Sequence, residues 1–183
     1  MKSGVLVSMS CLCLLMIGTQ QCLAQGVKNQ TTTYCEDDGP GTFQLDANSL
    51  PKAVVGSVMN ASESKQMLVG ETGAEVSPEK LLHARRIHLS ADGAAVFLVI
   101  GSPPLSAADG SWFWLVRQDG VKASVLLWTA GNCVELKNST TRGYRDIEAS
   151  WASAGSEQTS VYHYDGKAYK LANSQVRDRK PND

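Results

Sequence analysis

Three Asp-Gly pairs, at Asp92, Asp119 and Asp165, each stand between two runs of strand-forming residues. Asp-Gly is the strongest short-range hairpin signal, because a type I′ turn needs positive φ at both central positions. A chain punctuated in this way folds by pairing neighbouring strands antiparallel. Arg86–Leu89 leads into the first turn. Ala94–Ile100 follows it, apolar at every position, as a central strand buried on both faces would be. Ser111–Arg117 and Val121–Trp128 flank the second turn. Cys133–Leu136, Gly143–Trp151, Thr159–Tyr164 and Ala168–Leu171 complete the set. The expected fold class is mainly β (α+β): an antiparallel meander of about seven or eight strands preceded by one or two short helices. The turns are unevenly spaced and their flanks do not align, so a repeated propeller is not expected.

Ahead of the strands, Ser49-Leu50-Pro51 offers an N-cap with proline in the first turn. Leu50, Val54 and Val58 recur every fourth residue, which predicts an amphipathic helix from Leu50 to about Asn60. Met67-Leu68-Val69 reads as a brief strand, and Ser77-Pro78 opens a second short helix ending near Leu82.

Lys2, the apolar run Val5–Gly18 and the small residues before Gln25 have the form of a secretory signal peptide over residues 1–24. The run is shorter than the roughly 20 residues a spanning helix needs, which leaves a membrane anchor as the weaker alternative. Cys22 raises lipid attachment as another, but Thr19 and Gln21 stand where a lipobox has Leu and a small residue. Residues 25–41 read as a flexible polar arm and turn-rich loop, 42–171 as a single β-rich domain, and 172–183 as a disordered polar tail. The expected location is periplasmic or secreted, with no membrane span in the mature chain. A formal net charge of −1 leaves no basic excess for nucleic acid.

Removal of the leader takes Cys11, Cys13 and Cys22 and leaves Cys35 and Cys133. In an oxidising compartment this pair is expected to bond. A loop of that length gives about 4–5 kcal/mol in the chain-entropy picture, as an upper figure. Two buried free thiols are the alternative. A catalytic cysteine is not expected, since neither has a His or a second Cys close in sequence.

Few residues suggest chemistry. His83, His88 and His163 form no His-Glu-x-x-His, and no Cys-x-x-Cys exists, so no metal is expected. Glu36-Asp37-Asp38-Gly39 lacks the alternating ligands and closing Glu of a calcium loop. Ser62-Glu63-Ser64-Lys65 matches the Ser-x-x-Lys of penicillin-binding enzymes, but the partner motifs are absent. No Gly-x-Ser-x-Gly elbow and no phosphate-binding glycine loop occur, and no cofactor is expected. Asp146 and Glu148 alternate onto one strand face about 7 Å apart. That spacing suits a two-carboxylate hydrolase, and equally an ordinary exposed strand.

The aromatic residues say more. Trp112 and Trp114 share one strand face, with Phe113 and Leu115 on the other. With Trp151 and Tyr162 they form a candidate binding surface for a sugar or a protein. In the plainer alternative, one row fills the core and the other packs under the helices.

Trp112-Phe113-Trp114, then Thr141-Arg142-Gly143-Tyr144-Arg145-Asp146-Ile147, then Tyr162-His163-Tyr164-Asp165-Gly166-Lys167-Ala168-Tyr169 form a pattern. In it the chain resembles a group of secreted bacterial proteins with no established activity. It is also distantly similar to a single blade of the FG-GAP type of β-propeller. The Asp-x-Asp-x-Asp-Gly loop of that blade is absent, so the resemblance implies no calcium site. On the residues alone, Asp146 is expected to accept from turn amides and Tyr169 to pair across strands.

These readings favour an exported, non-catalytic domain that binds a protein or glycan of the cell envelope. An inhibitor of a cell-wall hydrolase such as lysozyme is a narrower alternative, by analogy only. A small periplasmic hydrolase using Asp146, Glu148 or His163 is the rival.

Overall fold

The computed structural model describes residues 32–38, 42–68, 81–107 and 109–178. The expected leader and the start of the second predicted helix, at Ser77, lie outside them. The described residues form two antiparallel sheets and two short helices, α1 (Lys52–Met59) and α2 (Ser62–Leu68). One sheet has five strands: β1 (Thr32–Cys35), β8 (Cys133–Thr141), β9 (Tyr144–Ala152), β10 (Ser156–Tyr164) and β11 (Tyr169–Asp178), in that order. The other has six. Its path runs β2 (Leu45–Asp46), β3 (Leu82–Ile87), β4 (Ala95–Gly101) and β6 (Gly110–Asp119). The two-residue β5 (Ser106–Ala107) pairs the start of β6, and β7 (Lys122–Gly131) pairs its other side. The expected β-rich meander behind a helical segment is what forms.

The alternation of β4 builds the layers. Val96, Leu98 and Ile100 meet Phe113 and Leu115 of β6 and Ile147 and Ala149 of β9 in the core between the sheets. Phe97 and Val99 point the other way, with Trp114 and Val116, and pack against Val54 and Val58 of α1. The central strand is thus buried on both faces, as its unbroken apolar run implies. Val54 and Val58 are fully buried, each stabilising the helix layer by roughly 1.5–3 kcal/mol.

Cys35 stands directly opposite Cys133 in the β1–β8 register, and the two are disulfide-bonded. The expected pairing is therefore present. Part of the arm read as flexible is strand β1, followed by a 3-10 turn over Glu36–Asp38.

Several local expectations are corrected. Pro51, not Ser49, occupies the cap position of α1 and makes no side-chain cap. Ser49 instead donates its backbone N–H to Asp46 in the preceding turn. Met67 and Leu68 belong to α2 rather than a strand, because helical spacing lets both pack against the helix-side core. Leu82, read as the end of a helix, begins β3. The polar stretch from Ala172 onward, read as a disordered tail, is strand to Asp178. Its backbone pairs with β10 as far as Ser156↔Asp178, and an edge strand needs no apolar side chains for that.

The turns also differ in type. Positive φ at two consecutive positions occurs at Arg142 (52°) and Gly143 (80°), the type I′ pattern, in the two-residue β8–β9 loop. At the three Asp-Gly sites only the glycine is left-handed. Gly120 leads the two-residue β6–β7 loop, the type II′ arrangement. Asp92 and Asp165 use their carboxylates to bind nearby backbone N–H groups, which closes longer turns.

Candidate functional site

The chain crosses from one sheet to the other at Gly131–Cys133, and Asn132 fastens this corner. Its side-chain amide donates to Glu36 Oε1 at 2.8 Å and to the Asp109 carbonyl at 3.0 Å. Its own oxygen accepts the Ala152 N–H, and its backbone N–H donates to the Ser150 carbonyl at 2.8 Å. A Cβ on Gly131 would fall 2.7 Å from that same carbonyl, so the close approach of β7 to β9 requires glycine here. Away from this pinned corner a cleft of about 250 Å³ opens.

Four aromatic side chains line it: Trp112 of β6, Trp128 of β7, Trp151 of β9 and Tyr162 of β10. Trp112 and Trp128 are diagonal neighbours in the β6–β7 register, and their rings stack at 4.8 Å with a 13° interplanar angle. The same pair lines a second cavity with Glu63, Gln66 and Met67 of α2. Across the cleft, Thr129 Oγ1 and the Tyr162 hydroxyl lie 3.0 Å apart and join the two sheets. The floor is set by register: Trp151 faces Gln158 and Ala149 faces Ser160. The polar side-chain groups that line the cleft are therefore an amide, hydroxyls and indole N–H groups, with no charged side chain.

Of the aromatic residues singled out from the sequence, Trp112, Trp151 and Tyr162 come together here. Trp114 does not. It is 0% exposed beneath the helices, two residues farther along β6 and under the apolar face of α1. The plainer reading of the aromatic rows is thus correct for Trp114, Phe113 and Leu115. Gln158 and Ser160 were missed as site residues. The signal for Gln158 and Ser160 was their alternation with Tyr162 on β10. Nothing in the sequence alone set β7 beside β10.

Asp146 and Glu148 lie on the face of β9 opposite Ile147 and Ala149, away from the cleft. Each is already engaged. Lys137 lies 2.7 Å from Glu135 and 3.1 Å from Glu148. Hydrogen bonds that Lys137 donates to these carboxylates, Glu135 first, hold its ammonium above its usual pKa against the opposing effect of burial. Asp146 is only 3% exposed. Its Oδ1 accepts from Thr141 Oγ1 at 2.7 Å and pairs with His163 Nδ1 at 2.8 Å. Burial works to raise the Asp146 pKa, but bonds from Ser139, Thr141 and His163 outweigh it and hold the carboxyl below the usual range. The partners of Asp146 are thus side chains rather than the turn amides expected. Tyr169 does pair across strands, opposite Tyr164 with ring centroids 5.5 Å apart.

Among the described residues, no group of three or more His, Cys, Asp and Glu side chains is placed to hold a metal ion. No helix among them is long and apolar enough to cross a membrane. No protein-family model, curated protein or solved structure matches this chain.

Proposed function

We propose that this chain is an exported, non-catalytic binding domain that takes a neutral glycan in the cleft between β7 and β10. One observation carries the reading: three tryptophans and a tyrosine surround a cavity whose polar groups are all uncharged. Aromatic faces cover the C–H faces of a sugar ring, while an amide and hydroxyls match its hydroxyl groups. A concave site lined by aromatic side chains with a few placed polar groups is a common anatomy for a small-ligand site. Export is supported by the leader-like N-terminus and by the Cys35–Cys133 bond, which suits an oxidising compartment.

The test is calorimetric titration of the oxidised protein with neutral gluco- and N-acetylgluco-oligosaccharides, beside a Trp151→Ala variant. Saturable binding that weakens about tenfold or more in the folded variant is expected. Absence of binding to either sugar series, or binding untouched by the substitution, would overturn the reading.

A small hydrolase is the second reading, supported by the Asp146–His163 pair. An aspartate on Nδ1 orients an imidazole with Nε2 free, as a general base requires. If that reading holds, His163→Ala abolishes hydrolysis of the same oligosaccharides; if parent and variant both leave them intact, it is removed.

A further inference from the structure

We infer that the ligand of this cleft is a chain of sugars, and that its second subsite is the exposed inner face of β11. The inference rests on the glycan reading of the cleft and extends it. The β10–β11 register puts Leu171 opposite Tyr162, Ser174 opposite Ser160 and Val176 opposite Gln158. Residues directly opposite in an antiparallel pair share a face, so each row of the cleft floor continues onto the edge strand. Two contacts bear this out: Gln158 Nε2 donates to Ser174 Oγ at 3.3 Å, and the Ser160 and Ser174 hydroxyls lie 3.2 Å apart.

The six-stranded sheet does not cover this part of the floor. Leu171 is 59% exposed and Val176 66%, unusual for large apolar side chains on the inward side of a sheet. Beyond them β11 has no further strand in the sheet order. Between the two, β11 carries no charge. Lys170 and Arg177, which flank them, are opposite His163 and Glu157 on the other face, and Asp178 ends the strand opposite Ser156, beyond the rows of the cleft. The uncharged, half-apolar character of the cleft is therefore kept across three strands. Strands are spaced about 4.8 Å apart, so the floor reaches about 10 Å from β9 to β11. That is room for successive sugar rings, with the first against the tryptophans and the next over Leu171, Ser174 and Val176.

The test is titration of the full, oxidised chain with mono-, di- and pentasaccharides of the gluco- and N-acetylgluco-series. The parent is compared with a Leu171→Ser/Val176→Ser variant whose fold is checked by circular dichroism. The parent should gain about tenfold in affinity between mono- and disaccharide. The variant should keep the monosaccharide affinity and lose the gain. Equal affinity at both lengths, or a gain that survives in the variant, overturns the extended site while leaving the cleft reading intact. Failure of every saccharide to bind overturns both, as does binding of an extended neutral peptide in their place.

Discussion

His163 Nδ1 lies 2.8 Å from Asp146 Oδ1 on the outward side of the five-stranded sheet, where the consecutive strands β9 and β10 pair. Thr141 donates to the same oxygen from β8. Asp146 therefore joins three consecutive strands. Asp146→Ala should cost about 1–3 kcal/mol, because hydroxyls and an imidazole lose a largely buried acceptor. His163→Ala should cost less, since its side chain is about half exposed. Urea unfolding at pH 7 checks both.

Asp92 makes a second anchor. It accepts from the Tyr144 hydroxyl at 2.8 Å, from the Ala94 N–H at 3.0 Å and from Ser90. The Ser90 hydroxyl first, then the Ala94 amide and Tyr144, pull its pKa to about 2. A depressed carboxyl stabilises the fold above its unfolded value and loses that contribution as pH falls through the folded one. The loss should run from about pH 4 down to about pH 2. Because Asp92 is exposed, solvent screening reduces the effect to about 1 kcal/mol. Asp92→Asn should lower stability by that amount at pH 7 and make little difference at pH 2, as seen in urea midpoints across the range.

Breaking Cys35–Cys133 by reduction, or by replacing both cysteines with serine, should cost about 2–5 kcal/mol. The closed loop spans 98 residues. Thermal melts with and without reductant measure the loss, and the double-serine variant should no longer respond to reductant.

Trp114 and Trp151 separate packing from binding. Trp114→Ala removes a fully buried indole and should cost about 3–5 kcal/mol. Trp151 is partly open on the cleft, and Trp151→Ala should cost about 1 kcal/mol or less. Denaturant midpoints for the two variants should differ clearly.

Ser64 offers an inverse case. It is fully buried in α2, and its hydroxyl has no hydrogen-bond partner among the described residues. Ser64→Ala should leave stability unchanged or raise it by about 1 kcal/mol, read from the same urea curves.

The strands were legible because their signals are local. The apolar run of β4 reports burial on both faces, and the Asp-Gly pairs report where the chain turns back. Val54 and Val58 likewise marked the buried stripe of α1, with Leu50 buried just ahead of it. The ends of strands were less legible. β11 runs through Asn173, Ser174 and Gln175 because backbone pairing to β10 is indifferent to polar side chains on an edge. The cleft was half legible. Trp112, Trp151 and Tyr162 carry aromatic chemistry that can be read one residue at a time. Trp128 falls beside Trp112 through the register of the β6–β7 hairpin, but that Trp114 lies under a helix depends on how helices pack on the sheet, and no short-range pattern encodes that.

The order of the five-stranded sheet sets an order of events. β8 to β11 follow one another in the chain with short connections, so they can zip together from nearby contacts. β1 must travel across the intervening chain to lie along β8, and that long closure is entropically the slower step. Cys35 meets Cys133 only once β1 has docked in register. The disappearance of the Cys35 and Cys133 thiols is therefore a clock for completion of the domain. A chain whose Cys35 still reacts with a thiol reagent is one whose first strand remains undocked.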